Sequence, residues 1–177
     1  MPIVFTINEI VFYDKLSYMK IKVGFGYDVH RLEKGYPLVI GGVRIAHEKG
    51  AVGHSDADVL IHAIMDALLG AAGLGDIGHH FPDTEASLKG IDSKILLGRV
   101  AELLLINSFK IGNIDATIAL ERPKISPYIP QMQIAIGNVL GLSVQDVSIK
   151  ATTSEKLGFV GAEAGIAAYA TALIYKD

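Results

Sequence analysis

The sequence contains no cysteine among its 177 residues. Disulfide bonds, cysteine-ligated zinc, iron–sulfur clusters and a thiol nucleophile are therefore excluded, and any metal must be bound by His, Asp or Glu. Positive charge is not in surplus either, because 16 Lys and Arg stand against 19 Asp and Glu, for a net charge of −3. This balance argues against a nucleic-acid partner or a polybasic membrane patch.

Long uncharged apolar runs are also missing. The longest, residues 164–175, has twelve residues, whereas a membrane-spanning helix needs about 17 or more. Hydrophobic residues nevertheless make up 50% of the chain, and the mean hydropathy is +0.38. Such a surplus of apolar surface without a membrane span suggests an oligomer that buries it between subunits.

The length of the chain fits about one domain. The first 18 residues contain one Lys, two acidic residues and no Arg, which fits neither a secretory signal nor a transit peptide. We therefore expect a cytoplasmic protein in which residues 1–19 form an extension outside the core and residues 20–177 form the domain.

Hydrophobic periodicity predicts strands that alternate with amphipathic helices. A capping box at Ser55 and Asp58 is expected to open the first helix. The alternation favours parallel crossovers and an α/β sandwich. Strands are predicted at 20–28, 37–45, 111–120, 144–151 and 165–175, the second of them as a short strand or hairpin, and helices at 59–74, 93–109 and 126–141.

Two groups of residues are candidate metal ligands. Asp28 and His30 are two apart on a predicted strand, so both side chains point to the same face. His54, Asp58, His62 and Asp66 recur every four residues and predict a polar stripe on the first helix. The stripe alone fits a solvated helix face equally well. A strand pair with one helical His would give three ligands and an open position, the pattern of a catalytic zinc.

Two later segments carry candidate ligand-binding groups. The glycine-rich loop 75–84 offers Asp76 and Asp83, which fit either plain turns or the binding of sugar hydroxyls. Residues 150–156 contain three consecutive hydroxyl side chains flanked by Lys150 and Lys156, which suit phosphate oxygens. Glu155 opposes an anion unless magnesium lies between them. A polar turn at a strand end remains the alternative.

Taken together, these segments resemble one family, the 2-C-methyl-D-erythritol 2,4-cyclodiphosphate synthases of the non-mevalonate isoprenoid pathway. The resemblance runs from about Lys20 to the C-terminus. Each motif is weak alone, but all of them in order at the family spacing are highly specific. The motifs are residues 26–30, 53–58, 67–70, 75–78, 81–84, 123–124 and 150–159.

The resemblance implies a fold and a reaction. The fold is a homotrimer of α/β (α+β) subunits, each with a four-stranded mixed sheet and helices packed on one face, and the active sites lie between subunits. The lyase reaction converts 4-diphosphocytidyl-2-C-methyl-D-erythritol 2-phosphate to 2-C-methyl-D-erythritol 2,4-cyclodiphosphate. The 2-phosphate attacks the β-phosphate of the diphosphate and expels CMP.

The resemblance also assigns the site residues. Asp28, His30 and His62 would bind zinc or another divalent transition metal next to the substrate, and Glu155 would bind magnesium or manganese. His54, Thr153 and Glu155 match the catalytic positions. The implied substrate contacts also include Ser55, Asp76, Ile77, Gly78, Phe81, Pro82, Asp83, Thr84, Glu85, Leu120, Lys124, Ile125, Ser126, Thr152, Ser154 and Phe159.

Two other readings use the same residues. A metal-dependent phosphohydrolase would activate water at the His and Asp site, but it leaves Pro123 and Lys124 without a nucleotide to bind. A non-catalytic trimeric ligand-binding module would bind the same ligands without turnover. Release of free phosphate rather than CMP would favour the hydrolase, and inactivity in the presence of metal would favour the module.

Overall fold

The structure, a computed structural model, describes residues 19–176. The predicted extension at residues 1–19 lies outside the described residues, apart from Met19. The described chain contains seven strands and five α-helices, together with 3₁₀ turns at Ala86–Leu88, Ser126–Tyr128 and Val144–Asp146. In chain order they are β1 (Lys20–Lys34), β2 (Leu38–Ile40), β3 (Val43–Ile45), β4 (Lys49–Val52), α1 (Val59–Ala72), α2 (Ile77–His80), α3 (Ser93–Ile106), β5 (Lys110–Ala119), α4 (Ile129–Leu140), β6 (Val147–Thr152), α5 (Gly158–Gly161) and β7 (Gly165–Lys176).

The main sheet has five strands in the order β4-β1-β7-β5-β6, and β2 and β3 form a separate hairpin. The expectation of four strands is therefore wrong. β1 continues past Asp28 to Lys34, and this extra length pairs with β4, a four-residue strand too short to show alternation. Among the described strands, only β5 and β6 pair in parallel. The sheet is mixed, as expected, but the predicted parallel crossovers reduce to one.

Glycines in β1 let α1 lie directly on the sheet. A Cβ atom at Gly24 would come within 1.9 Å of the carbonyl oxygen of Ala67, and one at Gly26 within 2.0 Å of that of Ala63. Any side chain at these two positions would therefore push the helix away. Because strand side chains alternate, Asp28 and His30 lie on the same face as these glycines and point toward α1.

The opposite face of β1 is apolar and exposed. Val23 and Phe25 are 63% and 66% exposed, and Tyr27 packs against Tyr169 of β7 with ring centroids 5.1 Å apart. On the covered side, α1 packs on β1 and β7, α3 packs on α1, and α4 packs on α3 and β6. None of the described helices combines the length and apolar composition that crossing a membrane requires.

Asp58, rather than Ser55, caps α1. Its Oδ1 accepts a hydrogen bond from the backbone N–H of Ile61 at 3.1 Å, and the helix begins at the next residue, Val59. The predicted capping box is therefore wrong. Ser55 lies in the preceding loop, where its hydroxyl is 3.1 Å from Nε2 of His62. That contact places Ser55 beside His62 of α1.

Candidate active site

Three side chains from β1 and α1 meet at one point. Oδ2 of Asp28 lies 3.0 Å from Nε2 of His30 and 3.0 Å from Nδ1 of His62, and the two nitrogens are 3.2 Å apart. The close approach of α1 at Gly26 places His62 beside Asp28. The three atoms form a nearly equilateral triangle, and His62 is the helical histidine that the resemblance implies as a ligand.

This triangle fits a divalent metal. A tetrahedral ion with bonds of about 2.0–2.1 Å holds its ligand atoms about 3.3 Å apart, close to the distances observed. Nδ1 of His30 is 3.0 Å from the carbonyl oxygen of Val52, which can only accept, so the neutral ring of His30 has its lone pair on Nε2, which points inward. Two imidazoles and one carboxylate are donors that zinc and similar ions prefer. Among the described residues this is the cluster that could hold a metal.

The acid and the bases of the cluster shift each other's pKa. Burial opposes the charge on Asp28, but hydrogen bonds from His30 and His62 outweigh it and hold its pKa well below the usual range. Burial also favours the neutral form of His62, but its hydrogen bond to Asp28 and the charge of that carboxylate raise its pKa. A proton and a metal would therefore compete for Nδ1 of His62.

A cleft of about 400 Å³ opens over the cluster. The loop before α1 contributes His54 and Ser55, and the segment 77–83 contributes most of the opposite wall. Many residues that the sequence singled out are thus brought together. The lining consists of Asp28, His30, Gly53, His54, Ser55, His62, Met65, Ile77, Gly78, Phe81, Asp83, Leu88 and Leu96.

The stripe predicted at spacings of four does not exist as one surface. Helix α1 begins only at Val59, so His54 and Asp58 precede it. Asp58 is fully buried, and its carboxylate also accepts from the backbone N–H groups of Gly41 and Gly42. Asp66 accepts from the N–H of Ile77 at 2.8 Å, which ties the glycine-rich loop to the helix. Only His62 of the four contributes to the metal cluster.

The glycine-rich loop forms short helical turns next to the cleft. Asp76 caps α2 by accepting from the N–H of His79 at 2.9 Å. The plain-turn reading of Asp76 is thus observed, and a sugar-binding role would use its second carboxylate oxygen. Further along the loop, Oε1 of Glu85 accepts from the hydroxyl of Ser87, and its carbonyl oxygen lies 3.3 Å from Nε2 of His54. Pro82 and Thr84 are exposed in the same segment.

A second cleft, of about 260 Å³, lies where the parallel strands β5 and β6 end. It brings together residues of the segments 120–126 and 151–153, both of which the resemblance includes in substrate binding. Its lining consists of Leu120, Glu121, Pro123, Lys124, Ile125, Ser126, Ala151, Thr152 and Thr153. The two clefts are lined by different residues. Phe159, in α5, lies outside both linings and is 46% exposed.

Glu121 organises the hydroxyl-rich loop, a role that the sequence did not indicate. Its Oε1 accepts from the backbone N–H groups of Ser154 and Lys156, each at 3.0 Å, and lies 3.2 Å from the Ser154 hydroxyl. These bonds lower the pKa of Glu121, the one from the Lys156 N–H most of all. In the same loop, Thr153 donates to Oε1 of Glu155 at 2.8 Å. Only the folded structure reveals this contact, because 33 residues separate Glu121 from Ser154 in the sequence.

Two residues whose types and spacing indicate no role, Asp56 and Ser93, lie behind the cluster. Ser93, at the start of α3, is fully buried with its hydroxyl 3.0 Å from Nε2 of His62. That hydroxyl donates to Oδ1 of Asp56. Both residues are ordinary loop and helix-start types, so composition and spacing gave no reason to select them.

Comparison with known proteins gives consistent results. The family model of the YgbB family matches residues 21–175. A curated 2-C-methyl-D-erythritol 2,4-cyclodiphosphate synthase from Porphyromonas gingivalis is 63% identical over 153 residues, which are 86% of this chain and 94% of that protein.

Solved structures agree in fold. The bifunctional IspDF of Campylobacter jejuni has a TM-score of 0.86 at 38% identity; the match covers 90% of this chain but only 43% of that longer one. The CDP complex of IspF from Plasmodium falciparum has a TM-score of 0.77 at 34% identity, with 89% of this chain and 97% of that chain covered.

Proposed function

The chain belongs to the YgbB family of 2-C-methyl-D-erythritol 2,4-cyclodiphosphate synthases, and we propose a mechanism on that premise. It is an enzyme of non-mevalonate isoprenoid precursor synthesis. The substrate is 4-diphosphocytidyl-2-C-methyl-D-erythritol 2-phosphate. An oxygen of its 2-phosphate attacks the β-phosphorus, a new P–O bond closes the ring, and the bond to CMP breaks. The observation that carries this proposal is the Asp28–His30–His62 triangle at the floor of a 400 Å³ cleft.

No side chain has to act as a nucleophile, because the substrate brings its own. The barrier comes from repulsion between anionic phosphates and from the entropy of ring closure. Zinc or a similar ion held by Asp28, His30 and His62, and magnesium or manganese held by Glu155, would neutralise phosphate charge and orient the phosphoryl oxygens.

The remaining residues bind and orient the substrate. His54 and Ser55, at the rim of the metal cleft, would donate to phosphate oxygens as negative charge shifts between them. On the other side of the phosphates, Thr153 would do the same, next to Thr152 and Ser154 of its loop. The segment 76–85 would bind the erythritol part. The segment 120–126, with Lys124, would bind cytidine largely through its backbone, and the CDP complex of the Plasmodium relative supports such a pocket.

We propose that the active enzyme is a homotrimer. One substrate must reach both the metal cleft and the nucleotide cleft, and within one chain these are lined by different residues. Joining the metal cleft of one subunit to the nucleotide cleft of the next would meet this need. The exposed apolar face of β1, with Val23, Phe25 and Tyr27, supports an assembly that covers it. The cytoplasmic location stays a prediction.

The reaction itself is tested by following the phosphorus products. The protein is incubated with the diphosphocytidyl substrate, zinc and magnesium, and ³¹P NMR is recorded with time. We expect equal amounts of CMP and a cyclic diphosphate, and none of either after the metals are removed by chelation. Free inorganic phosphate instead of CMP would identify a phosphohydrolase, and unchanged substrate would favour a binding module.

Replacing Glu155 with glutamine should raise the magnesium requirement and leave zinc binding intact. An amide is a poorer ligand for a hard cation than a carboxylate. Because a contact to a charged group contributes about 1.5–3 kcal/mol, the magnesium concentration for half-maximal rate should rise about 10- to 100-fold. Glu102→Gln, an exposed change on α3, is the matched control. An unchanged magnesium titration would show that Glu155 only organises its loop.

We also propose that the domain begins at about residue 20. Strand β1 begins at Lys20, and the family match begins at residue 21. Deletion of residues 1–18 should therefore leave the rate of CMP release and the sedimentation coefficient unchanged. Deletion of residues 1–26 is the contrast, because it removes the glycines on which α1 packs, and it should abolish folding. Dissociation or inactivity of the shorter deletion would contradict the boundary.

A further inference from the structure

We propose that Asp56 and Ser93 position His62 for metal binding by fixing which of its ring nitrogens carries the proton. The inference rests on the metal centre of the proposed function and goes one step beyond it. A neutral imidazole binds a metal only through the nitrogen that has no proton. Nδ1 of His62 must therefore be bare, and its proton must stay on Nε2.

The hydrogen bonds behind His62 run in one direction only. An ionised carboxylate can only accept, and Asp56 accepts from the hydroxyl of Ser93 and from the backbone N–H groups of Ser93 and Asp58. The single proton of the Ser93 hydroxyl is thus committed to Asp56. Its oxygen, 3.0 Å from Nε2 of His62, can then only accept from that nitrogen. Nε2 therefore keeps its proton, so the nitrogen of neutral His62 that can bind a metal is Nδ1, which faces Asp28 and His30.

The second hydroxyl near Nε2, that of Ser55, does not determine which nitrogen carries the proton. Ser55 lies 3.1 Å from Nε2 of His62 and accepts from the N–H of Ala57 at 3.3 Å. A hydroxyl in that situation can either donate to the ring or accept from it. Without Ser93, Ser55 could donate to Nε2 and move the proton to Nδ1, where it would block the metal.

In His30, a single hydrogen bond fixes which ring nitrogen carries the proton. The carbonyl oxygen of Val52 accepts from Nδ1 of His30, so Nε2 is the nitrogen of the neutral ring that can bind a metal. A carbonyl never donates, so one partner is enough. Nε2 of His62 faces hydroxyl oxygens, which could donate or accept, and the hydrogen bond from Ser93 to the half-buried carboxylate of Asp56 removes the ambiguity. Partners of this kind raise metal affinity by about 10- to 100-fold in metalloproteins.

The test measures zinc affinity, not turnover, in Asp56→Asn, Ser93→Ala and the double variant, by competition with a chromophoric chelator. An asparagine keeps the shape of Asp56 but offers Ser93 both a donor and an acceptor. We expect each single variant to bind zinc about 10- to 100-fold more weakly. The double variant should bind zinc no more weakly than Ser93→Ala does, because both changes break the same chain of hydrogen bonds from His62 through Ser93 to Asp56. Asp92→Asn, at the N-cap of α3, where the carboxylate accepts from the N–H of Lys94, should keep full affinity.

A spectroscopic readout separates this role from mere support of the fold. In ¹H–¹⁵N correlation spectra of the zinc-loaded protein, the proton on Nε2 of His62 should resonate downfield. In Asp56→Asn this proton resonance should move upfield, while the circular dichroism spectrum stays unchanged. Wild-type zinc affinity in Asp56→Asn, or losses that add in the double variant, would overturn the inference. If Ser93→Ala fails to fold, the affinity and the resonance of Asp56→Asn decide. Retention of zinc by His62→Ala would instead refute the metal centre itself.

Discussion

Replacing His62 with alanine is expected to remove the bound metal and nearly all cyclisation while the fold is kept. The change leaves Asp28 and His30, and two ligands are too few for tight binding of a transition metal. Loss of an outer partner costs about 10- to 100-fold in metal affinity, so loss of a ligand should weaken binding by more than about 100-fold. Metal content by atomic emission and CMP release measure the two effects.

His47→Ala is the matched control, since it removes a histidine from the turn between β3 and β4, outside both clefts. It should retain one zinc per subunit and the full rate. Circular dichroism and the unfolding midpoint of the metal-free His62→Ala protein check that the fold persists. One zinc per subunit in purified His62→Ala would refute the ligand assignment, and full activity without zinc would refute the role of the metal.

The second large effect concerns stability, and its target is Asp58. Substitution with alanine should lower the free energy of unfolding by about 3 kcal/mol. The carboxylate accepts from the N–H groups of Gly41, Gly42 and Ile61, and the substitution leaves these donors without their acceptor. Burial raises the pKa of Asp58 despite those bonds, so relief of that desolvation offsets part of the loss. Urea denaturation of the metal-free protein gives the value.

Asp92→Ala provides the comparison for that measurement. Asp92 also caps a helix, α3, by accepting from the N–H of Lys94 at 2.9 Å, but its side chain is 45% exposed. The cap alone contributes about 1 kcal/mol, so this variant should be destabilised by about that amount. Equal destabilisation in the two variants would mean that the contacts of Asp58 to the glycine turn between β2 and β3 contribute nothing.

The sequence predicted what depends on local periodicity. Asp28 and His30 were assigned to one face because side chains two apart in a strand share a face, and the structure brings them together as predicted. The helices at Val59–Ala72 and Ser93–Ile106 were also predicted to within three residues at each end. The error in the polar stripe has a local cause as well. The backbone of Asp58 has φ −74° and ψ 89°, so the helical spacing does not extend back to His54.

What the sequence missed depends on contacts between distant segments. Asp56 meets Ser93 across 37 residues, and Glu121 meets the loop 154–156 across more than 30. No periodic signal connects such positions in a single sequence. The edge strand β4 was not predicted from the sequence for a related reason, because its four residues form a strand only by pairing with the end of β1.

The central claim is that Asp28, His30 and His62 hold the catalytic metal, and anomalous diffraction tests it most directly. Crystals of the zinc-loaded protein are measured on both sides of the zinc absorption edge. The account predicts a strong peak about 2.0–2.1 Å from Oδ2 of Asp28, Nε2 of His30 and Nδ1 of His62. A strong peak at other residues, with none at this triangle, would contradict it.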